Sequence, residues 1–390
     1  MYRQLYFDYN ATTPCDEKVL EAMLPFFKED FGNASSSHHP YGWLAKNAIE
    51  EATESIAGSL GVSGDELIYT SGATESINMV IKGVCKAKKA SGNHIITTKA
   101  EHKAVLDTCK ELEKDGIEVT YLDVDRNGLI PIDHYEQAIT DKTILIATLY
   151  ANNETGVIQP LRELGELCGK HQILLFSDTT QALGKIPLAE VFESVDFACF
   201  SAHKLYGPKG VGMVYAREAT TKEVFTSFIQ GGGQQGGLRG GTLNTPGIIG
   251  LASATLLAQQ LLEQDTGRMK SLRDRLEKGI SSIELSTVNG KEAERLPNTS
   301  NISFQFVDGE NLLRALSPYL AVSNGSACNS ASVEPSHVLT AMGVARDMAY
   351  ASLRFSLGRF TTEEHVDEAV DIVSREIAKQ RENNILWVRR

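Results

Sequence analysis

The side chains of greatest chemical interest are an acid, an amide, a hydroxyl, an imidazole and an amine near the middle of the chain. Such a set suits a pyridoxal phosphate (PLP) site. The amine would form a Schiff base with the cofactor, and the acid would keep the pyridine nitrogen protonated, so that the ring can withdraw electrons. Taken alone, a lysine and an aspartate near strand ends are at least as often a surface ion pair. The five side chains belong to Asp178, Gln181, Ser201, His203 and Lys204.

Two short apolar runs precede these side chains and must position them. Residues 173–176 and 197–200 lack helical periodicity and are joined by more than a dozen residues. This pattern is typical of buried parallel strands connected by a crossover. Because ligands of open α/β sheets bind outside the carboxyl ends of the strands, we expect the five side chains to converge on one pocket.

Composition and charge disfavour several other classes of protein. The chain has 390 residues, of which 42% are hydrophobic, and a formal net charge of −12, which disfavours direct nucleic-acid binding. Its length allows two or three domains, or one large domain with a smaller one. The six cysteines show no metal-site spacing, and the adjacent His38 and His39 lack a third ligand. With no leader segment and no run of 18 apolar residues, we expect a cytoplasmic protein with reduced cysteines and no membrane association.

The segment at residues 201–212 resembles a known family. Its sequence, SAHKLYGPKGVG, is similar to the lysine motif S-x-H-K-x-x-G-P-K-G-x-G of the cysteine desulfurases, in the class V aminotransferase group. The resemblance covers nearly the whole chain. It implies fold type I of the PLP-dependent transferases, an α/β fold in which a large domain has a mainly parallel central sheet and a smaller domain is α+β. We place the large PLP-binding domain at 15–258 and the small domain at 1–14 and 259–390.

Three further motifs have roles that this resemblance implies. T-S-G-A-T-E-S at residues 70–76 could be an ordinary capping turn, but a small-residue turn at a helix start also suits a phosphate. The family binds the cofactor phosphate here, which implies the backbone of Ala73 and the hydroxyl of Thr74. E-H-K-A-V-L implies that His102 stacks on the pyridine ring and relays protons. N-N-E-x-G implies that Asn153 lies between the cofactor and the substrate carboxylate.

Two motifs later in the chain imply a dimer and a substrate clamp. The glycine-rich stretch at 230–242 could be a flexible linker, but it resembles the family motif G-G-G-x-x-x-G-x-R-x-G-T. The threonine of that motif, here Thr242, reaches the phosphate of the neighbouring subunit, which implies a homodimer with shared sites. S-x-R-x-S-x-G at 352–358 implies that Arg354 binds the substrate carboxylate through two hydrogen bonds.

A lone cysteine lies in a segment of small and polar residues at about 320–335. By default it would be an incidental thiol on an exposed loop. The letters S-N-G-S-A-C-N-S nevertheless resemble the S-S-G-S-A-C-T-S loop of the IscS/NifS-like desulfurases. This implies that Cys328 takes the sulfur of L-cysteine as a persulfide, leaves L-alanine and passes the sulfur to an acceptor protein, with Lys204 and His102 moving protons. Cys328 could also serve as a transient iron–sulfur ligand.

Other functions stay open at this point. Selenocysteine lyase chemistry is compatible with the motifs, whereas the cysteine segment argues against an aminotransferase. A non-catalytic scaffold would need none of Lys204, Asp178, His102 and Cys328. The persulfide could serve iron–sulfur assembly, tRNA thiolation or DNA sulfur modification.

The chain also departs from the family pattern, and two of the departures concern the site. A threonine pair could put a hydroxyl under the cofactor ring, and two asparagines alter the surroundings of the cysteine. The departures are Thr179–Thr180 in place of Ala–Ala, Asn324 and Asn329 in place of Ser and Thr, Ala34 and Ser37 in the N-P-S-S-L-H stretch, and an end at Arg390 without the longer tail by which some IscS proteins engage a scaffold.

Overall fold

A seven-stranded sheet lies at the centre of the protein. The computed structural model describes residues 4–217, 226–324 and 334–388. Most strands are short apolar runs buried on both faces, and all but one run in the same direction, which confirms the mainly parallel sheet. The exception is the second strand from one edge, which is antiparallel to both neighbours. From edge to edge the strands are β2 (Leu67–Thr70), β8 (Gly212–Ala216), β7 (Phe197–Ser201), β6 (Leu174–Asp178), β5 (Thr143–Leu149), β3 (His94–Thr98) and β4 (Glu118–Leu122).

Strands β6 and β7 correspond to the two predicted apolar runs. They pair in parallel, with Phe176 opposite Phe197 and Asp178 opposite Cys199. Parallel strands end at the same edge of a sheet, so the polar residues that follow each strand are brought together. The predicted pairing of the two runs is confirmed.

Helices cover both faces of the central sheet. They are α1 (Glu17–Met23), α2 (Pro25–Lys28), α3 (Pro40–Leu60), α4 (Ala73–Ala87), α5 (Lys103–Glu113), α6 (Ile132–Ala138), α7 (Leu161–His171), α8 (Ala189–Ser194) and α9 (Thr245–Gln260). On one face, α4 and α5 pack side chains such as Ile81 and Val105 against the strands. On the other face, α3, α7 and α9 contribute to a second apolar cluster. Helices α1 and α2 are separated at Leu24, because Pro25 has no N–H to donate to the preceding turn.

A second group of elements lies mostly around an apolar cluster of its own. These elements are β1 (Leu5–Tyr6), α10 (Leu262–Ile280), β9 (Ser286–Val288), β10 (Thr299–Phe304), α11 (Gly309–Leu316), β11 (Leu320–Ala321), α12 (His337–Ala341), α13 (Arg346–Tyr350), β12 (Ser352–Ser356), α14 (Glu363–Glu382) and α15 (Ile385–Val388). Strands β12, β10 and β9 form an antiparallel sheet, and β1 lies parallel to β11. The cluster joins Phe7 to Leu276 and Ile377, whereas Leu339 on α12 packs into the large core. The domain limits at 258 and 259 stay a prediction.

Residues 245–280 form two helices that meet at a bend. Helix α9 ends at Gln260 and α10 begins at Leu262, with a bend of 71° between them. The two helices belong to different apolar clusters, which accounts for the change of direction. Within the described ranges, no single helix is long and apolar enough to cross a membrane, and α9 with α10 meets that test only as this bent pair.

Candidate active site

A cavity of about 750 Å³ opens at the carboxyl edge of the central sheet. It is lined by most of the residues that the sequence predicts for the site. The predicted residues in its lining are Ala73, Thr74, His102, Asn153, Asp178, Gln181, Ser201, His203, Lys204 and Arg354. Thr242 is exposed and lies outside this lining, and Cys328 lies outside the described residues.

Strand ends account for most of this convergence. Asp178 is the last residue of β6, and Ser201 is the last residue of β7. A single 3₁₀ turn then places Lys204 directly after β7. Loops after β5 and β3 supply Asn153 and His102. The sheet edge therefore presents acid, hydroxyl, amide, imidazole and amine groups to one space.

Two backbone carbonyls hold the amine of Lys204. Its Nζ donates to the oxygen of Asn10 at 2.6 Å and to that of Ala11 at 2.8 Å. Burial and the nearby Arg354 lower the pKa of Lys204 to about 8, against the opposing effect of Asp178 and Asp8. More of this amine is therefore uncharged and nucleophilic near neutral pH than in an exposed lysine.

Asp178 is buried at the floor of the cavity and is held by its neighbours. Its Oδ1 accepts the N–H of Thr180 at 3.0 Å and lies 3.5 Å from Sγ of Cys199. The Thr180 side chain lines the cavity, with its hydroxyl 3.7 Å from the same sulfur. Thr179 lies outside the lining and donates to the carbonyl of Cys199 at 2.7 Å. Of the two unusual threonines, only Thr180 reaches the ligand space.

The two histidines of the cavity differ in their surroundings. Nδ1 of His203 lies 3.1 Å from the hydroxyl of Thr12. Burial, together with Lys204 and other nearby lysines, lowers the pKa of His203 to about 4, so its ring is neutral at physiological pH. His102 begins α5, where its Nδ1 accepts the N–H of Ala104 at 3.1 Å. In the neutral ring the proton of His102 must therefore be on Nε2, where it can serve a ligand.

The start of α4 forms a cradle for an anion. Gly72 precedes the helix with a φ of +144°, and among the described residues no side chain caps the first-turn N–H groups. The hydroxyl of Ser201 is close, since a Cβ on Gly72 would lie 3.4 Å from its oxygen. Gly212 allows β8 to approach, because a Cβ there would lie 2.7 Å from the Cα of Gly72. Free N–H groups at the positive end of this helix suit a phosphate.

Arg354 on β12 reaches the cavity from the second group of elements. Its Nη1 donates to the carbonyl of Asn153 at 3.1 Å, and its Nη2 donates to Oδ1 of Asp8 at 2.6 Å. Its Nε is buried and has no hydrogen-bond partner within the described residues. Arg354 also lines the cavity, where its guanidinium group can bind an anionic ligand such as a carboxylate.

Sequence reasoning missed several groups that hold the site together. Asp8 and Asn10 lie near the start of the chain, in a stretch that matches the pattern D-x-x-A-T-T-P. The pattern was visible in the sequence, but it assigned no role to either residue. Glu154 belongs to the N-N-E-x-G motif and lines the cavity, and burial raises its pKa to about 7. Its Oε2 accepts the hydroxyl of Ser336 at 2.5 Å, a contact 182 residues apart that no local pattern could indicate.

The described residues contain no group of three or more His, Cys, Asp or Glu side chains that could hold a metal ion. In the paired histidines, Nδ1 of His39 accepts the N–H of Gly42 at 3.3 Å and caps α3.

Comparison with known proteins finds relatives over nearly the whole chain. The model of the family "Aminotransferase class-V" matches residues 5–369. This chain belongs to the class-V aminotransferase family. Its relatives include the "Cysteine desulfurase IscS" of Anaeromyxobacter sp. (strain Fw109-5), which is 47% identical over 98% of this chain and 95% of the relative. Members of the family are PLP-dependent.

Solved structures of class-V relatives share this fold. A NifS-like protein superposes with a TM-score of 0.89 at 39% identity and covers 96% of this chain and 100% of its own. The structure of SspA in complex with cysteine gives a TM-score of 0.80 at 37% identity, covering 92% of this chain and 100% of its own. The predicted fold type I and the predicted membership of the IscS/NifS-like cysteine desulfurases are confirmed.

Proposed function

We propose that this protein is a PLP-dependent cysteine desulfurase that converts L-cysteine to L-alanine and carries the sulfur as a persulfide on Cys328. The observation that carries this proposal is the cavity itself. There Lys204 has a lowered pKa, Asp178 is buried, and Arg354 has a buried N–H without a partner among the described residues. Relatives at 46–47% identity are named as cysteine desulfurases, and one solved relative holds cysteine.

The residues of the cavity fit PLP. Lys204 would attach the cofactor, and Asp178 would pair with its pyridine nitrogen. The first turn of α4, with Thr74 and Ser201, would hold the phosphate. When bound, PLP supplies a ring that stabilises negative charge on the substrate carbon. Neutral His203 and the amide of Gln181 would complete the polar surroundings.

The substrate would be held by Arg354 and Asn153. The free N–H groups of Arg354 would bind its carboxylate, and the side chain of Asn153 would lie beside it. Lys204 would move the proton at the substrate carbon, since its pKa of about 8 allows both uptake and release near neutral pH. His102, with Nε2 as the protonated nitrogen, would move protons at the substrate sulfur.

The sulfur transfer step would use Cys328. Its thiolate would attack the substrate sulfur, forming an S–S bond while the C–S bond breaks and its electron pair stays with carbon. That carbon would then take a proton, giving alanine. The segment that contains Cys328 joins described residues at the cavity on both sides, because Ser323 lines the cavity and Ser336 is bonded to Glu154.

We propose a homodimer for this enzyme, with Thr242 serving the neighbouring site. Thr242 is exposed and lies outside the cavity of its own chain. Its loop is fixed to the phosphate cradle, since Nε of Arg239 donates to Oε1 of Glu75 at 2.8 Å. A set of exposed apolar side chains, the α1–α3 face, is available for a second copy. This face consists of Leu20, Leu24, Phe27, Phe31, Tyr41, Trp43 and Leu44.

The persulfide would pass its sulfur to an acceptor protein, and the chemistry suits the cytoplasm. A thiol that cycles through a persulfide needs reducing surroundings. The five described cysteines are all free, and four of them are buried.

Turnover with L-cysteine and a thiol reductant tests the proposal. We expect equal release of sulfide and alanine from the wild type. Cys328→Ser should bind PLP normally but lose persulfide and both products. Cys15→Ser is the matched control, because Cys15 is exposed and lies outside the cavity. Full turnover by Cys328→Ser would contradict the role of Cys328, and bound PLP with neither product from the wild type would contradict the proposed function.

A further inference from the structure

Lys185 is a buried lysine beside the cavity to which the proposed reaction gives no role. It lies in the turn between β6 and α8 and is 6% exposed. Its carbonyl accepts the hydroxyl of Thr266 on α10 at 2.8 Å. The preceding Gly184 fits closely against α9, since a Cβ there would lie 2.9 Å from Cβ of Ala258. The backbone of Lys185 is therefore fixed by both helices.

A chain of hydrogen bonds connects Lys185 to the catalytic amine. Nζ of Lys185 donates to Oε1 of Gln181 at 2.7 Å. Nε2 of Gln181 donates to the carbonyl of Asn10 at 2.9 Å. The same carbonyl accepts Nζ of Lys204 at 2.6 Å. The buried amine of Lys185 is thus connected to the cavity through the side-chain amide of Gln181.

Stability does not account for a lysine at this position. Within the described residues Lys185 forms no salt bridge, and its cationic neighbours are Lys204 and Arg354. Burial and these two charges lower its pKa to about 7. The other titratable groups lining the small cavity beside it are Tyr9, Tyr206, Asp265 and Arg359. A buried amine without a carboxylate partner costs folding free energy, which an apolar side chain of similar length would not.

We propose that Lys185 is a positioning residue that fixes the orientation of the Gln181 amide. The N–H of Lys185 requires an acceptor, so Oε1 must face it and Nε2 must face the cavity. Gln181 is thereby held as a hydrogen-bond donor to an anionic oxygen of the bound cofactor. This assignment rests on the proposed function insofar as the cofactor is PLP.

PLP affinity of the cofactor-free protein tests this assignment without turnover. Lys185→Met removes the donor but keeps the length of the side chain, and PLP should dissociate about five to ten times more readily, as expected for one lost hydrogen bond. Gln181→Ala should weaken binding similarly. If Lys185 acts through Gln181, the double variant should bind PLP no more weakly than Gln181→Ala. Losses that multiply in the double variant would overturn the proposal.

A spectroscopic readout separates positioning from general support. A misplaced Gln181 should move the pH midpoint of the Schiff-base absorbance band upward in Lys185→Met, whereas the same change made in Gln181→Ala should leave the midpoint in place. The melting temperature of the cofactor-free variant should be equal to or above that of the wild type. Lys185→Ala provides the same comparison if the methionine variant does not fold.

The Lys185 assignment and the proposed function can fail separately. Equal PLP affinity and an equal Schiff-base midpoint in wild type and Lys185→Met would overturn the assignment and leave desulfurase activity untouched. Conversely, the predicted coupling between Lys185 and Gln181 in a wild type that releases no sulfide would support the assignment and contradict the proposed function.

Discussion

At the scale of single residues, the reactivity of Lys204 depends on which charges surround it. Burial and Arg354 favour the neutral amine, whereas Asp178 and Asp8 favour the charged one. Arg354 and Asp8 are themselves paired at 2.6 Å, so a change in one alters the effect of the other. The proposed substrate clamp and the proposed nucleophile are therefore electrostatically linked.

This link predicts the effect of Arg354→Gln on the reaction of Lys204 with PLP. In the cofactor-free wild type, the rate of Schiff-base formation should rise with pH through about 8, as Lys204 loses its proton. Removing the cation takes away one cause of the lowered pKa and leaves Asp8 unpaired, so the midpoint should move to higher pH. Stopped-flow absorbance across a pH series measures it.

Arg162→Gln is the control for this prediction. Arg162 lies on α7 with an exposed side chain, and the same change there should leave the midpoint in place. A midpoint that stays fixed or falls in Arg354→Gln would contradict the electrostatic link.

Residue types and motifs indicated the side chains to which we assign a chemical role of their own. Asp178, His102 and Arg354 could be predicted because their functional groups are distinctive and their motifs specific. Asn10 could not, because it holds Lys204 through a backbone carbonyl that any residue has. Lys185 had no signal, since an isolated lysine in a sequence indicates a solvated surface rather than a buried contact.

At the scale of elements, the turn after β5 and the start of α12 form one hydrogen-bonded unit. The hydroxyl of Ser336 donates to Glu154 and accepts the N–H of Leu339, which caps α12. Beside it, Nε2 of His337 lies 2.9 Å from the carbonyl of Glu101. The element that follows the cysteine segment is therefore attached to both loops that carry His102 and Asn153.

Ser336→Ala should weaken this unit. It removes the cap of α12 and leaves the buried Glu154 without its donor, so the free energy of unfolding should fall by about 1 to 3 kcal/mol. Urea denaturation measures the loss. Ser336→Thr keeps the hydroxyl and should retain most of the stability. An equal free energy of unfolding for Ser336→Ala and the wild type would contradict this attachment of α12 to Glu154.

Element boundaries followed from sequence where a local residue causes them. Asp16 caps α1, because its Oδ1 accepts the N–H of Lys18 at 3.0 Å. No glycine or proline marks the bend at Leu261, although the predicted domain change lies only a few residues before it. The bend arises where two helices follow different cores, and such a tertiary cause leaves no local pattern.

For the molecule as a whole, the α1–α3 face is the surface through which we expect two copies to associate. Phe31 and Tyr41 in this face contact each other, with ring centroids 5.2 Å apart, yet remain 63% and 51% exposed. Grouped aromatic side chains in contact with water favour a partner surface.

Phe31→Glu should therefore disrupt the proposed dimer. A charge buried in an apolar contact should weaken association at least about tenfold, as seen by analytical ultracentrifugation over a concentration series. PLP affinity should fall in parallel if Thr242 serves the neighbouring site. Ile385→Glu is the control, since Ile385 is 66% exposed on α15, away from this face. An unchanged dimer in Phe31→Glu would contradict the proposed face.

The pairing of the first strand with a late one also sets the order in which the enzyme can be completed during synthesis. Leu5 pairs with Leu320, so β1 has no strand to join until most of the chain has left the ribosome. The carbonyls of Asn10 and Ala11 that hold Lys204 follow that strand directly. The central sheet can fold while translation continues. The amine of Lys204, however, gains its hydrogen bonds to these two carbonyls only when the last third of the protein has emerged.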